Sequence, residues 1–205
     1  MSDDQAHVFI VDDDESVRDA IGMLLDSVDV SYDAYPSADE FLAAYSAAMN
    51  GCLVLDIRMP GMSGLELQEH LAAEGVALPV IVVSGYGDVP TAVRVMKQGA
   101  VDFIEKPFSD QAMLDRIQAS IEHDLETRRA EAERACARSN RDRLTRREAE
   151  VMDLVIAGKS NKEIARDLAI SPKTVEVHRA NVMKKMQADS LADLVRLAER
   201  TAQPG

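Results

Sequence analysis

Apolar runs alternate with amphipathic stretches over the first 124 residues. The runs at 8–11, 53–55, 80–83 and 101–104 are short and almost wholly apolar, which is typical of strands buried on both faces of a parallel sheet, and a weaker run lies at 30–34. Stretches with helical spacing follow these runs, at 17–26, after Ser37, at 65–71, at 90–98 and from Asp110 onward. Because crossovers between parallel strands are right-handed, five strand–helix repeats predict an α/β domain, a doubly wound parallel sheet with helices on both faces.

From residue 144 the pattern changes to four short helices. The segment Thr145-Arg146-Arg147-Glu148 is a capping box that opens the first helix, and Ser160 can cap the second. Ser171-Pro172 introduces the third, predicted over 173–186, and a fourth follows near residue 190. A short helix, a tight turn and a following helix predict a helix-turn-helix in an all-α domain.

The segment that joins the two patterns is itself helical. Helix formers run from Asp110 to about Ser139 without Gly or Pro, but the apolar stripe thins to alanines beyond Leu125. Heptads are not sustained, which disfavours a coiled coil. We therefore expect domains at 1–124 and 144–205, joined by a solvated helical linker at 125–143 with a break near Ser139-Asn140.

Charge separates the two halves of the chain. Up to Asp124 there are 6 Lys and Arg against 23 Asp and Glu, a net charge of −17, whereas the rest has 17 against 13, a net charge of +4. The first half can hold cations, and the second can face an anionic polymer such as double-stranded DNA. Cys52 and Cys136 lie in no Cys/His cluster, which excludes a disulfide framework or a zinc site, and without a long apolar segment we expect a cytoplasmic protein outside the membrane.

Polar residues close four of the predicted strands: Asp12-Asp13, Asp56, Ser84 and Lys106. Each one alone is readily explained as a turn former or a helix cap, and the neighbouring Asp14 and Glu15 are suited to a helix N-terminus. Together they meet at one edge of a parallel sheet, where such folds bind ligands. Because three carboxylates in one cleft repel one another, they predict a hard cation with oxygen ligands, Mg²⁺.

These segments resemble the receiver domain of two-component response regulators, over roughly residues 6–124. The matching segments are 11–15 (VDDDE), 55–64 (LDIRMPGMSG), 84–85 (SG), 99–103 (GAVDF) and 106–108 (KPF). The resemblance implies a (βα)5 flavodoxin-like fold in which a sensor histidine kinase phosphorylates Asp56. Asp13 and Asp56 would ligate Mg²⁺ with the Arg58 backbone carbonyl, Asp12 would lie nearby or act through water, and Lys106-Pro107 would be a cis bond.

The resemblance also implies how the signal would leave the site. The Lys106 ammonium and the Ser84 hydroxyl would contact the phosphoryl oxygens, while Phe103 would rotate inward as Ser84 moves. Many relatives carry Tyr where this chain has Phe103, and a core Phe without a switch role is the alternative. Tyr86 would shield the acyl phosphate, or is a plain exposed loop aromatic. Val93, Met96 and Val101 would supply dimer contacts. For at least one of them, burial in the helix core is the alternative.

The third helix of the second half predicts a DNA-facing surface. At about 100° per residue, Val175, His178, Val182 and Met186 form the core side, with His178 a packed core histidine. The opposite side and its flanks present a set of candidate DNA contacts: Lys173, Thr174, Glu176, Val177, Arg179, Ala180, Lys184 and Lys185. The cations would contact phosphates and Arg179 could read guanine, whereas Glu176 could accept from a cytosine amine or simply stay solvated.

The second half resembles the LuxR-type output domain from about residue 144 to 202. The matching segments are 144–148 (LTRRE), 158–165 (GKSNKEIA) and 171–179 (SPKTVEVHR). By this resemblance the base-facing positions are Glu176, Val177 and Ala180. Receiver and output together resemble the NarL/FixJ class, which implies a homodimer on phosphorylation and RNA polymerase as a further partner.

The resulting hypothesis is a DNA-binding transcriptional regulator switched by phosphorylation of Asp56, and not an enzyme beyond this Mg²⁺-dependent self-modification. One alternative is a DNA-binding regulator whose receiver is a phosphorylation-independent dimerisation module. Another is a phosphohydrolase with an aspartyl nucleophile. Such enzymes commonly carry the nucleophile on the first strand with a second Asp two residues later, whereas here Asp56 ends the third strand and is followed by Arg58.

Overall fold

The computed structural model describes residues 7–85 and 89–202. Residue contacts divide the chain into two compact units, Met1–Thr127 and Arg128–Gly205. The division lies three residues beyond the predicted end of the first domain at 124, inside one continuous helix.

The first unit contains a parallel sheet whose strands follow one another in the order β2-β1-β3-β4-β5. The strands are β1 (His7–Val11), β2 (Ser31–Tyr35), β3 (Cys52–Asp56), β4 (Val80–Ser84) and β5 (Asp102–Glu105). The helices that follow them are α1 (Glu15–Asp26), α2 (Ala38–Ala44), α3 (Gly64–Ala73), α4 (Val89–Lys97) and α5 (Asp110–Asp142). This arrangement confirms the predicted doubly wound α/β fold. The strand order reverses between β1 and β3, which is where such sheets open a crevice.

Side-chain alternation along the strands builds two cores, one on each face of the sheet. Phe9, Leu53 and Val82 pack on one face with buried residues of α2, α3 and α4. Ile10 and Val54 pack on the other face with buried residues of α1 and α5. Both faces of β1, β3 and β4 are therefore apolar, which explains why their sequences are continuous apolar runs rather than alternating ones.

A buried carboxylate fixes α5 to the start of β3. Asp124 is only 2% exposed, and its Oδ2 accepts a hydrogen bond of 3.0 Å from the amide of Gly51. Gly51 has a φ of +119°, and a Cβ there would lie 1.9 Å from the carbonyl oxygen of His7, so the position requires glycine. Next to it, burial raises the pKa of Cys52 to about 12. The Cys52 thiol therefore stays protonated and packs as a small apolar side chain.

The second unit contains the predicted four helices: α6 (Arg146–Ile156), α7 (Asn161–Asp167), α8 (Pro172–Met186) and α9 (Leu191–Ala202). Thr145 and Ser160 each form a complete capping box, with Glu148 and Glu163 respectively, as the sequence predicts for Thr145. The unit has a core of its own, built on Val151, Met152, Ile164, Val175, Val182 and Met186.

The C-terminal part of α5 differs from the expected solvated linker. Ala137 is 1% exposed and Asn140 is 6% exposed. Arg141 donates to the Thr201 hydroxyl at 2.8 Å, and Arg200 pairs with Glu133 at 2.7 Å, so α9 packs against this stretch. The helix runs through Ser139-Asn140 to Asp142, because burial of Asn140 and these contacts stabilise the last turn. The described helices include none that is long and apolar enough to cross a membrane.

Candidate functional site

The ends of β1, β3 and β5 bring three charged side chains into contact. The Lys106 ammonium lies 2.6 Å from Asp12 Oδ2 and 2.7 Å from Asp56 Oδ1. Asp12 and Asp56 are 3% and 6% exposed. Lys106 follows β5 and is 94 and 50 residues away from its two partners, so only the sheet topology joins them. The structure thus assembles three of the predicted site residues into one ion-paired cluster.

Backbone contacts hold both carboxylates in place. The amide of Arg58 donates to Asp56 Oδ2 at 2.6 Å, and the amide of Asp14 donates to Asp12 Oδ1 at 2.9 Å. Each carboxylate therefore has one oxygen on a backbone N–H and the other on the Lys106 ammonium. This two-sided support fixes the direction in which the Asp56 carboxylate faces.

The turn after β3 depends on Gly64. Its amide donates to the carbonyl of Ile57 at 3.0 Å, and a Cβ on Gly64 would lie 2.0 Å from the carbonyl oxygen of Asp56. The first residue of α3 therefore sits directly on the backbone of Asp56. Ser63 and Glu66 form a capping box at the same helix end, which keeps this contact rigid.

Burial and ion pairing act in opposite directions on the cluster. Burial raises the pKa of Asp12, and this outweighs the lowering by Lys106 and by the Asp14 amide. Burial would lower the pKa of Lys106, but its hydrogen bonds to Asp12 and Asp56 outweigh that effect and raise it. Lys106 is therefore a permanent cation in the site.

The expected cluster of three carboxylates is not assembled. Asp13 is exposed, and within residues 7–85 and 89–202 no three His, Cys, Asp or Glu side chains are grouped as a metal site. Instead, the Lys106 ammonium lies between Asp12 and Asp56 and pairs with both carboxylates. Two buried carboxylates against one ammonium still leave the cleft anionic, and its oxygen donors match the preference of Mg²⁺.

The predicted switch residues lie on the neighbouring strands. Ser84 ends β4, is 3% exposed, and accepts a 2.7 Å hydrogen bond from the Lys106 amide on its backbone carbonyl. Lys106-Pro107 is a cis peptide bond, as the resemblance implies. Phe103 is partly buried against the core that contains α3 and α4. Tyr86, the predicted shield, lies outside the described residues.

Apolar side chains are exposed on α4 and at the start of β5. Val93, Met96 and Val101 are 47%, 46% and 36% exposed, and Val89 is 76% exposed. The alternative of core burial is therefore wrong for all three predicted dimer contacts. The fully buried residue of α4 is Val95.

The predicted DNA-facing side of α8 is open. Lys173, Thr174, Glu176, Val177, Ala180 and Lys184 are all exposed. Val177 is the large apolar side chain among them, at 53% exposure. Lys173 pairs with Glu176 at 3.1 Å across one helical turn. On the core side, Val175, Val182 and Met186 are buried as predicted, and His178 is partly buried with its Nδ1 enclosed.

Two of the predicted phosphate contacts are engaged inside the unit. Arg179 donates to the side-chain oxygen of Asn161 at 2.9 Å, which joins α8 to α7. Lys185 lies 2.6 Å from Glu148 Oε2, a carboxylate whose residue is 4% exposed. Sequence periodicity places both cations near the outer side of α8 but carries no signal for partners that are 18 and 37 residues away.

Two family models match the chain and together account for most of it. Residues 8–118 match the response regulator receiver domain. Residues 142–198 match the luxR family of bacterial regulatory proteins.

Curated relatives match along nearly the whole chain. The transcriptional regulatory protein FixJ of Rhizobium meliloti is 48% identical, over 93% of this chain and 94% of its own. FixJ of Bradyrhizobium diazoefficiens is 44% identical over 96% of both chains. The response regulator protein TodT of Pseudomonas putida is 41% identical over 98% of this chain and 88% of its own. Residues 101–108 and 175–186 also resemble FixJ in sequence.

Solved structures give the same result. The response regulator StyR is 43% identical, covers 96% of this chain and 99% of its own, and superposes with a TM-score of 0.86. Full-length FixJ from B. japonicum is 44% identical, covers 98% of both chains, and superposes with a TM-score of 0.61.

Proposed function

Because the chain belongs to the response regulators that join a receiver domain to a LuxR-type DNA-binding domain, we propose that phosphorylation of Asp56 by a sensor histidine kinase switches it as a transcriptional regulator. The observation that carries this proposal is the contact of Lys106 with both Asp12 and Asp56. It leaves a buried, oriented carboxylate at a strand end, with a cation beside it.

The geometry supports a simple division of roles. An Asp56 oxygen attacks phosphorus as the N–P bond of a phosphohistidine breaks, and the leaving imidazole retains its electron pair. The Lys106 ammonium is placed to neutralise an oxygen of the transferred group. The Arg58 amide holds the other carboxylate oxygen, so the nucleophile needs no reorientation.

Receiver domains generally use Mg²⁺ for phosphorylation. In this chain Asp13, Asp56 and the Arg58 carbonyl would hold the ion, with Asp12 nearby. The ion would supply further positive charge against the phosphoryl oxygens. If an Asp56 oxygen bound the ion or the phosphoryl group, Lys106 could give up its contact with that oxygen, because it would still be paired with Asp12.

Downstream of Asp56, we propose that movement of Ser84 and Phe103 alters the α4 surface and that two copies then associate through Val93, Met96 and Val101. The paired output domains would bind a two-fold site in double-stranded DNA in the cytoplasm and contact RNA polymerase there. The exposed apolar side chains of α4 and the open cationic side of α8 support these roles.

The test compares Asp56→Asn with Asp39→Asn, which removes an equal charge from an exposed position on α2. Acetyl phosphate with Mg²⁺ should label the wild type and Asp39→Asn but not Asp56→Asn. Phosphorylation should also raise the DNA affinity of the first two only. Undiminished labelling of Asp56→Asn would overturn the assignment of the acceptor. Equal DNA affinity with and without labelling would instead favour a phosphorylation-independent dimerisation module.

A further inference from the structure

Helix α4 is attached to its neighbour α3 by polar contacts that the predicted signalling route does not include. Gln68 of α3 is 3% exposed, and its amide Nε2 donates to the backbone carbonyl of Val95 at 3.1 Å. Glu69, the next residue, accepts from both Arg94 and Gln98 on the same oxygen. We call this set of five residues the α3–α4 latch.

The latch is only partly satisfied. The Oε1 atoms of Gln68 and Gln98 are buried, and in the described part of the chain neither has a hydrogen-bond partner. Unpaired buried acceptors are costly and offset the hydrogen bonds that the same side chains make. The Val95 carbonyl does not depend on Gln68, because the amides of Gln98 and Ala100 each donate to it at 3.1 Å. The latch therefore holds α4 weakly and can open at low cost.

The latch is also continuous with the phosphoryl-acceptor site. The N-terminus of α3 sits on the backbone of Asp56, through the close approach of Gly64 and its hydrogen bond to Ile57. One turn further on, α3 presents Gln68 and Glu69 to α4. The helix thus connects the backbone of Asp56 to the helix that carries the exposed Val93 and Met96.

We propose that Gln68 and Glu69 are positioning residues that hold α4 in its unphosphorylated arrangement and so set the basal activity of the regulator. This inference rests on the proposed function, in that α4 is taken to carry the signal. It adds a second route through α3 to the one through Ser84 and Phe103. Opening the latch should favour the active arrangement, and by thermodynamic linkage it should also favour phosphorylation.

The test uses Gln68→Met in the full chain, which keeps the volume and apolar stem but removes the amide. The Val95 carbonyl keeps two donors, so the variant should fold, and the denaturation midpoint checks this. Glu69→Ala, at a half-exposed position, is a second variant with a smaller expected effect. Glu74→Ala is the matched control, because it removes an exposed carboxylate at the end of α3.

The first readout is hydrogen exchange of the α4 amides without phosphorylation. We expect exchange over 89–97 to rise about five-fold in Gln68→Met, while β3 and β4 stay protected and Glu74→Ala matches the wild type. Unchanged exchange over 89–97 would overturn the latch, whether or not Asp56 is ever phosphorylated.

The second readout is the dimer fraction and DNA affinity with and without acetyl phosphate. We expect Gln68→Met to raise the basal dimerisation constant about five-fold and to lower the half-maximal acetyl phosphate concentration by a similar factor. Faster α4 exchange with no change in these constants, in a protein whose wild type responds to acetyl phosphate, would reduce the latch to a structural contact and overturn the proposal. A wild type that does not respond would defeat the proposed function, and the regulatory role of the latch with it.

Discussion

Removing the charge of Glu148 should destabilise the DNA-binding unit far more than removing other charges of α6. One oxygen of Glu148 accepts from the Thr145 amide at 2.8 Å, the Thr145 hydroxyl at 2.9 Å and the Lys185 ammonium at 2.6 Å. The side chain is 5% exposed, whereas Lys185 is 31% exposed. Glu148 thus caps α6 and ties it to the end of α8 with a single carboxylate.

The magnitude follows from the pKa of Glu148. The Lys185 ammonium, with the Thr145 amide, lowers it from 4.5 to about 2. At about 1.4 kcal/mol per pKa unit, this difference corresponds to a ceiling of about 3 kcal/mol of unfolding free energy at neutral pH. Because the folded pKa lies below the unfolded one, this stabilisation is complete above about pH 5 and is lost as the pH falls toward 2. At pH 3 roughly half of it or less should remain.

The assay is denaturant unfolding of Glu148→Gln against the wild type, at pH 7 and pH 3. All tyrosines lie between residues 32 and 86 and there is no Trp, so tyrosine fluorescence reports the receiver and far-UV circular dichroism adds the helices of the second unit. At pH 7 we expect Glu148→Gln to lower the free energy of unfolding by about 2–3 kcal/mol. The loss should appear in the circular dichroism transition alone, and it should be smaller at pH 3. Glu150→Gln is the control, since Glu150 pairs with Arg147 at a more exposed position of the same helix. Equal losses for the two variants at pH 7, or a loss that does not shrink on acidification, would refute the reasoning.

Three further predictions concern the site and the two surfaces. Gly64→Ala should destabilise the receiver by at least about 1–3 kcal/mol and slow acetyl phosphate labelling, because its Cβ would press on the carbonyl of Asp56; tyrosine fluorescence and radiolabelling measure the two effects. Met96→Glu should leave labelling intact but reduce the phosphorylation-dependent dimer in sedimentation, since it charges an exposed apolar surface. Lys184→Ala should reduce the salt slope of DNA binding by about one, whereas Val177→Ala should weaken binding at constant slope. Equal slopes for the two variants would contradict these roles.

Local patterns predict most of the fold because the signal for each helix or strand lies within a few consecutive residues. Continuous apolar runs identify β1, β3 and β4 because both faces of these strands are buried. Capping residues locate the starts of α6 and α8 closely. The segment 125–143 is harder, because its sequence is typical of a solvated helix, and its contacts with α9, Arg141 with Thr201 and Glu133 with Arg200, join residues that lie far apart along the chain.

The candidate site shows the same limit. Strand ends predict which residues meet at the crevice, and Asp12, Asp56 and Lys106 do meet. They do not predict that Lys106 lies between the two buried carboxylates while Asp13 is exposed. Contacts between different helices, such as that of the Gln68 side chain with the backbone carbonyl of Val95, have no local signal at all. These contacts depend on the relative positions of two helices, which no single segment encodes.

The ion pairs of the second unit limit how many of its cations can face DNA. The 17 Lys and Arg of residues 125–205 overstate the number of cations that can face DNA, because several are paired internally, Lys185 with Glu148 and Lys159 with Asp167 among them. On the outer side of α8, Lys173 is itself paired with Glu176. Since affinity for DNA grows with the number of phosphates neutralised, a single copy should bind weakly. Joining two copies makes the second contact intramolecular and multiplies the affinity without any new DNA contact. Under the proposed function, the acidic receiver, with its net charge of −17, would oppose non-specific binding, and association of two copies at α4 would then switch DNA binding.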